Sequence, residues 1–368
     1  LRLALFTKRA LRRTASVLVA VGSVATTPAT ATSPVHGQTV GKALAQSSGK
    51  PAAARSPQTA ASNYEKREEV QAFIESLVQR HGFDPKELSR TFAEVRKQPD
   101  ALRLIAPPPK TFKRSWSAYR ARFLDRSRID GGIEFWSQHR ATLERAASIY
   151  GVPPEVIVAI IGVETIYGRV TGSFPTLDAL TTLAFDYPRR AEFFRGELES
   201  LLLLARDRRL DLQDTRGSYA GAIGLPQFMP SSIRNYAVDF DKDGKIDLRN
   251  SPVDAIGSVA RFLAEHGWVP GGQPYYPTRI GANARLEPLI EAGIEPHYTI
   301  SELSGFGVGV IGSVPDGTQL ALIDLPDGDA APTYLLGARN FYVVTRYNRS
   351  SFYATAVLDL AQELRSGR

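Results

Sequence analysis

The chain has 368 residues, 43% of them hydrophobic and 23% charged, with a formal net charge of +7 and no cysteine. That length permits more than one domain, and the missing cysteine excludes disulfides, thiolate metal sites, cysteine nucleophiles and lipid attachment through cysteine. Five basic residues (Arg2, Lys8, Arg9, Arg12, Arg13) precede Ala31 with no acidic one; setting them aside leaves +2, too near neutral to argue for nucleic acid.

Residues 1–31 read as an export signal. A basic segment ends at Arg13, an apolar stretch runs from about Ala15 to Val24, and small residues end in Ala29-Thr30-Ala31. Residues 32–62 are mostly Ala, Ser, Thr, Gln, Pro and Gly with almost nothing bulky and apolar, which predicts a disordered linker. No later run is long and apolar enough for a convincing membrane span.

Residues 63–150 predict an N-terminal helical domain. Val70, Phe73, Ile74, Leu77 and Val78 recur at helical spacing, and Asp84-Pro85-Lys86-Glu87 resembles a helix start. Pro107-Pro108-Pro109 breaks the pattern. A further helical part is expected from about Ile133 to Tyr150, ended by Gly151. Trp116, Tyr119 and Phe123 at spacings of three and four suit packing, and an exposed aromatic there could also stack on a sugar.

Residues 153–168, PPEVIVAIIGVETIYG, carry the chemistry. Two prolines suit a first helical turn. The apolar run Val156–Val163 predicts a helix buried all round, and it ends on one carboxylate, Glu164. Burial raises a carboxyl pKa, and an acid still protonated near neutral pH can protonate a leaving oxygen. The same pattern fits a helix-end residue pointing to water. Gly168, one turn on, is expected to leave room on that face.

From Phe174 to Arg206 an apolar stripe (Leu177, Leu180, Leu183, Ala184) is interrupted by Asp186-Tyr187-Pro188. Arg189 and Arg190 follow, either as a solvated corner or as an anion contact. In RGSYAGAIGLPQFM (216–229) small residues let backbone approach closely, and Ser218 and Gln227 offer neutral hydrogen-bonding groups. Tight packing of a buried turn explains the same composition.

Asp239, Asp241 and Asp243, with Gly244 at the sixth position and the Lys245 carbonyl at the seventh, match a calcium-binding loop. Oxygen ligands favour calcium over zinc. The twelfth position is Asn250, not Glu, so either Asn250 or Asp254 completes the set. Asp254 also lies in a helix-capping box after Ser251. The five histidines (His36, His81, His139, His266, His297) form no zinc motif.

Residues 271–340 predict a small β-rich insert, with strands near 318–325 and 334–336 around the turn Pro326-Asp327-Gly328-Asp329. Phe341–Tyr347 is expected as another strand, and Ser351–Leu364 as a helix. The fold class is therefore mainly α, with a small β component.

Together these stretches resemble the lytic murein transglycosylase B family. The matching segments are GVPPEVIVAIIGVETIYGRV around Glu164, LDALTTLAFDYPRRAEFF, GSYAGAIGLPQFMPSS, DFDKDGKIDLRNSPVDAIGSVARFLAEHGW and RYNRSSFYATAV. Their order spans residues 64–364.

The resemblance implies a lysozyme-like core (151–270, with an EF-hand-like calcium loop), and a C-terminal strand and helix (341–368) returning to it. It implies cleavage of the β-1,4 bond between N-acetylmuramic acid and N-acetylglucosamine in peptidoglycan, leaving 1,6-anhydromuramoyl ends, with Glu164 as acid then base. Ser218 would hold an N-acetyl group. Gln227 and Phe228 would line the cleft, Tyr119, Tyr347, Asn348 and Tyr353 would approach the substrate, and Arg189 and Arg190 would face the muramoyl carboxyl or peptide. The metal set is Asp239, Asp241, Asp243, Lys245 and Asp254 around a structural calcium ion. No organic cofactor is expected. The partners are glycan strands and, as candidates, cell-wall synthesis or remodelling proteins, met by a monomer. Some family members are lipid-anchored through a cysteine; without one, this chain is expected to be soluble in the periplasm of a Gram-negative cell. Hydrolysis of the same bond, or a non-catalytic peptidoglycan scaffold, are the competing readings.

Overall fold

The computed structural model describes residues 63–367 apart from 110, 208 and 209. The export and linker readings lie outside these residues.

The first helices are α1 (Glu68–His81), α2 (Pro85–Glu94) and α3 (Pro99–Ile105). Asp84 caps α2 by accepting from the amides of Lys86 and Glu87, which stops the chain at the expected start. Helices α1 and α3 meet α8 (Thr176–Asp186). Asp186 collects the Tyr64 hydroxyl at 2.7 Å, Arg67 at 2.7 Å and Lys97 at 3.1 Å.

Next come α4 (Trp116–Arg120), α5 (Arg126–Gln138) and α6 (Arg140–Tyr150). The helical part expected from about Ile133 to Tyr150 comprises the end of α5 and all of α6, meeting at His139, and Gly151 ends it with φ 69°. Then α7 (Pro154–Thr165) runs through the middle of the molecule, every residue from Val156 to Thr165 buried. Each fully buried Ile or Val side chain contributes about 1.5–3 kcal/mol.

The short strands β1 (Phe174–Pro175) and β2 (Arg216–Gly217) pair antiparallel on either side of α8 and α9 (Ala191–Arg206). Helices α10 (Pro230–Tyr236) and α11 (Pro252–Glu265) flank the acidic loop. Side chains from α1 through α11, and from the C-terminal helices, belong to one hydrophobic cluster. Helices on both sides of residue 150 therefore share one core.

A four-stranded antiparallel sheet follows, in the order β4-β3-β6-β5: β3 (Tyr275–Ile280), β4 (Val308–Val310), β5 (Ala321–Asp327) and β6 (Ala330–Gly337). Gly328, with φ 66°, opens the two-residue turn between β5 and β6. The helices α12 (Glu287–Glu291) and α13 (Ile300–Gly305) cover the sheet, and a second small cluster forms around Tyr276, Leu289, Leu303, Val308, Leu320 and Leu336.

The segment expected as a strand at Phe341–Tyr347 is a helix, α14 (Arg339–Tyr347). The run Val343-Val344-Thr345 suggests a strand by composition. Burial follows the other period: Phe341, Val344, Thr345 and Asn348 sit three and four apart and are all buried. Asn340 anchors the first turn, donating to the carbonyls of Val269 and Gly272 at 2.8 Å each. The last helix, α15 (Ser351–Ser366), is capped by Ser350 and lies against α7.

Among the described residues no single helix is long and apolar enough to cross a membrane; α6 and α7 pass that test only as a pair bent by 114°.

Candidate active site

Glu164 is the penultimate residue of α7 and is 4% exposed. Its helix stops abruptly. Ile166, Tyr167 and Gly168 have φ values of 52°, 58° and 87°, a left-handed run in which two members are not glycine. Such residues cost on the order of 1–3 kcal/mol each and persist where their surroundings hold them. Thr165 provides part of that hold. Its hydroxyl accepts from the Gly168 amide at 3.0 Å and reaches the Leu225 carbonyl at 2.9 Å, tying the helix end to the small-residue stretch 216–229. Gly168 therefore does not open a face one turn beyond Glu164: the helix has ended, and a side chain there would meet Leu225.

Burial pushes the Glu164 carboxyl up to about 8, against the opposing pull of the Tyr353 hydrogen bond and of the Arg128 cation. The Tyr353 hydroxyl donates to Glu164 Oε1 at 2.7 Å. Tyr347 stacks beside Tyr353, ring centroids 6.4 Å apart and planes 13° apart, and its hydroxyl donates to the Pro226 carbonyl at 2.5 Å. Tyr119 sits within the electrostatic reach of Glu164 from α4 and packs edge-on against Phe352 at 5.4 Å. So Tyr119, Tyr347 and Tyr353 converge on the carboxyl from three helices or their ends. No second carboxylate among the described residues acts on Glu164.

The other expected residues sit differently. Phe228 is 2% exposed, its ring between Phe262 and Tyr347 at 5.6 and 5.8 Å, so it backs the site from the core instead of lining a cleft. The Ser218 hydroxyl accepts from the Ala222 amide at 3.1 Å and braces its own loop. Gln227, at φ 50°, spends its amide donors on the carbonyls of Thr171 and Gly224. Gly224 itself has φ 76° and lies so close to the Leu248 carbonyl that no side chain would fit. Asn348 is 6% exposed beside Tyr347. Arg189 is exposed on the turn before α9. Arg190 lies over the Phe193 ring at 4.3 Å, in the field of Glu197, Tyr219 and Arg349. Neither arginine is among the charges acting on Glu164.

Sequence reasoning missed Arg128 and Tyr167. Arg128 is buried, and its Nε donates to the Gly162 carbonyl at 3.2 Å. The Tyr167 hydroxyl donates to the Arg128 carbonyl at 2.7 Å. Their signal was the glycines at 131, 132 and 162: an added side chain at 132 or 162 would strike the Tyr167 hydroxyl.

In the acidic loop, ligand oxygens of Asp239, Asp241 and Asp254 lie within 4.8 Å of one another. Asp254 is 1% exposed, and its two oxygens accept from the amides of Phe240 (2.7 Å) and Asp247 (2.8 Å). Burial and the Asp241 charge push its carboxyl up. Three carboxylates converging with no cationic side chain in the cluster fit a divalent cation. Asn250 donates its Nδ2 to Asp247 at 2.9 Å, and Asp254 is the third carboxylate of the group. Asp243 stands outside it; its carboxylate accepts from the Lys245 amide at 2.8 Å.

The model of the transglycosylase SLT domain matches residues 65–362. The chain is 44% identical over 307 residues to the membrane-bound lytic murein transglycosylase B of Escherichia coli (strain K12), covering 81% of this chain and 83% of that one. The structure is similar to that of a catenated lytic transglycosylase SltB1 from Pseudomonas aeruginosa: TM-score 0.77, 43% identity, 83% of this chain and 99% of that chain. It is also similar to the Escherichia coli lytic transglycosylase Slt35 in complex with calcium: TM-score 0.70, 42% identity, 81% and 93% covered.

Proposed function

The chain belongs to the transglycosylase SLT-domain family, and on that premise we propose how its site cleaves peptidoglycan. It is a peptidoglycan lytic transglycosylase with a lysozyme-like, mainly helical fold. The reaction assigned to it is cleavage of the β-1,4 bond between N-acetylmuramic acid and N-acetylglucosamine.

Glu164 is the acid. Kept neutral by burial, it passes its proton to the glycosidic oxygen, the bond from that oxygen to the muramoyl C1 breaks, and the electron pair leaves with N-acetylglucosamine. The positive charge at C1 is sheltered by the carbonyl oxygen of the muramoyl N-acetyl group. Glu164, now a carboxylate steadied by the Tyr353 hydroxyl, takes the proton of the C6 hydroxyl as that oxygen bonds to C1. The product is a 1,6-anhydro ring, no water is consumed, and Glu164 regains its proton. The attacking hydroxyl belongs to the same sugar, so proximity lets it outrun water.

The observation that carries this reading is the lone neutral carboxyl. Ordinary glycosidases place two carboxylates about the bond, and among the described residues only phenols and one cation act on Glu164. Tyr119, Tyr347 and Asn348 form the wall the sugar meets; Ser218, Gln227 and Phe228 keep the loop behind it in shape. Arg189 and Arg190 serve the anionic muramoyl or peptide groups away from the acid.

Asp239, Asp241 and Asp254 would hold a calcium ion, which would neutralise their converging charge and fix the loop before α11. The setting is the periplasm of a Gram-negative cell, where the polymer that the murein-degrading relatives are named for lies.

Glu164→Gln removes the proton and keeps the shape. It should bind glycan strands and release no anhydromuramoyl product; release at the wild-type rate would remove Glu164 from the chemistry.

A further inference from the structure

Arg128 lies almost wholly buried, 8% exposed, beside the last turn of α7. Its Nε donates to the Gly162 carbonyl at 3.2 Å, two residues before Glu164. Its Nη1 donates to the Arg122 carbonyl at 2.9 Å and to Asp125 Oδ2 at 2.6 Å, and the guanidinium rests over the Phe123 ring at 5.1 Å. The backbone beneath it is pinned as well. Its carbonyl accepts from Tyr167, whose ring stacks on Phe135 at 5.4 Å and fills the space left by Gly132 and Gly162. A guanidinium keeps its proton in any protein environment, so this charge is permanent. A cation at the last carbonyls of a helix also complements its dipole.

We propose that Arg128 is a positioning residue for the reaction, supplying the fixed positive charge that lets the buried Glu164 give up its proton and hold the resulting carboxylate until the C6 hydroxyl returns one. This rests on Glu164 being the acid and base. Burial alone would keep Glu164 neutral throughout. The groups facing it are Tyr353 from α15, Tyr347 from α14, Tyr119 from α4 and Arg128 from α5, and burial drives all three phenols above their ordinary range. Arg128 is therefore the one charged group among the described residues acting on Glu164. Asp125, on the solvent side of Arg128, partly cancels it.

Two substitutions should push in opposite directions. Arg128→Gln keeps a donor for Gly162 and loses the charge; it should raise the pH of the alkaline limb of kcat/KM by about one unit. Asp125→Asn keeps the helix cap and loses the cancelling charge, so it should lower that limb. Arg128→Lys should leave the limb where it is. The titration of Glu164 is read separately, as the carboxyl resonance of carbon-13 glutamate protein that Glu164→Gln lacks. A folded Arg128→Gln protein with the wild-type titration overturns the proposal, as does Arg128→Lys moving like Arg128→Gln. If Arg128→Gln does not fold, Asp125→Asn decides: a downward shift supports the proposal and no shift overturns it. A carboxyl titration that shifts while the rate profile stays still leaves Arg128 acting on Glu164 and removes Glu164 as the acid.

Discussion

The hydroxyl of Tyr353 donates to Oε1 of Glu164 at 2.7 Å, joining residues 189 positions apart in the chain. A donor of this kind favours the ionised carboxyl, and here it works against burial. Tyr353→Phe removes the hydrogen bond and leaves the packing. Its alkaline limb should move to higher pH, and kcat should fall about tenfold, the equivalent of one hydrogen bond of about 1.4 kcal/mol. An unchanged pH–rate profile would show that the bond does not govern the acid.

The same carboxyl makes stability depend on pH. The folded pKa is raised from 4.5 to about 8, so the folded state binds more protons than the unfolded one between those values. That contribution is fully present below the unfolded pKa and is lost as pH rises through the folded one. Glu164→Gln cannot ionise. It should match the wild type near pH ~5 and melt higher near pH ~9, by a difference on the order of a few kcal/mol. Melting curves at the two pH values test this; a variant equally stable, or less stable, at alkaline pH would contradict a buried neutral acid.

Calcium should raise the melting temperature of the wild-type protein. An ion at about a hundred times its dissociation constant adds about 2.7 kcal/mol. Asp241 is exposed and belongs to the cluster, so Asp241→Asn should remove the rise while changing the calcium-free melting temperature little. Asp243→Asn, outside the cluster, should keep most of it. Calorimetry with calcium and with a chelator separates the two; a wild-type protein indifferent to calcium would leave the cluster without an ion.

Gly162 faces the hydroxyl of Tyr167 so closely that an added methyl has no room. Gly162→Ala should cost about 1–3 kcal/mol by overpacking and disturb the helix end that carries Glu164. Trimming the hydroxyl, as in Gly162→Ala with Tyr167→Phe, should recover part of the loss. Denaturant unfolding of the wild type, Gly162→Ala, Tyr167→Phe and the double variant checks the coupling.

Most of this arrangement was legible because it rests on local chemistry. The apolar run Val156–Val163 called for burial, and of the two readings open for the carboxylate at its end the structure shows the buried one. Asp84, Gly151 and Gly328 mark a start, a stop and a turn through their own conformational preferences. What the sequence hid depends on which distant group fills a space. Residues 341–347 carry β-branched side chains, but packing against α15 and β6 buries a helical face there. Gly168 reads as room for a ligand only while the helix is assumed to continue. Arg128 goes unmarked in the sequence; its seat shows only once Tyr167 and the glycines around it are placed. Asp243 fits the calcium pattern by spacing, and one of its carboxylate oxygens accepts from the Lys245 amide, as Asp239 accepts from the amides of Asp243 and Gly244.

The central claim is that Glu164 works alone and that the sugar's own hydroxyl, not water, takes the broken bond. Digestion of purified peptidoglycan in water enriched in oxygen-18, followed by mass spectrometry, tests it directly. The account predicts muramoyl ends lighter by one water than hydrolysed ends, free of the heavy isotope, and absent when Glu164→Gln replaces the wild type. Reducing ends carrying oxygen-18 would contradict it and require a second group that activates water.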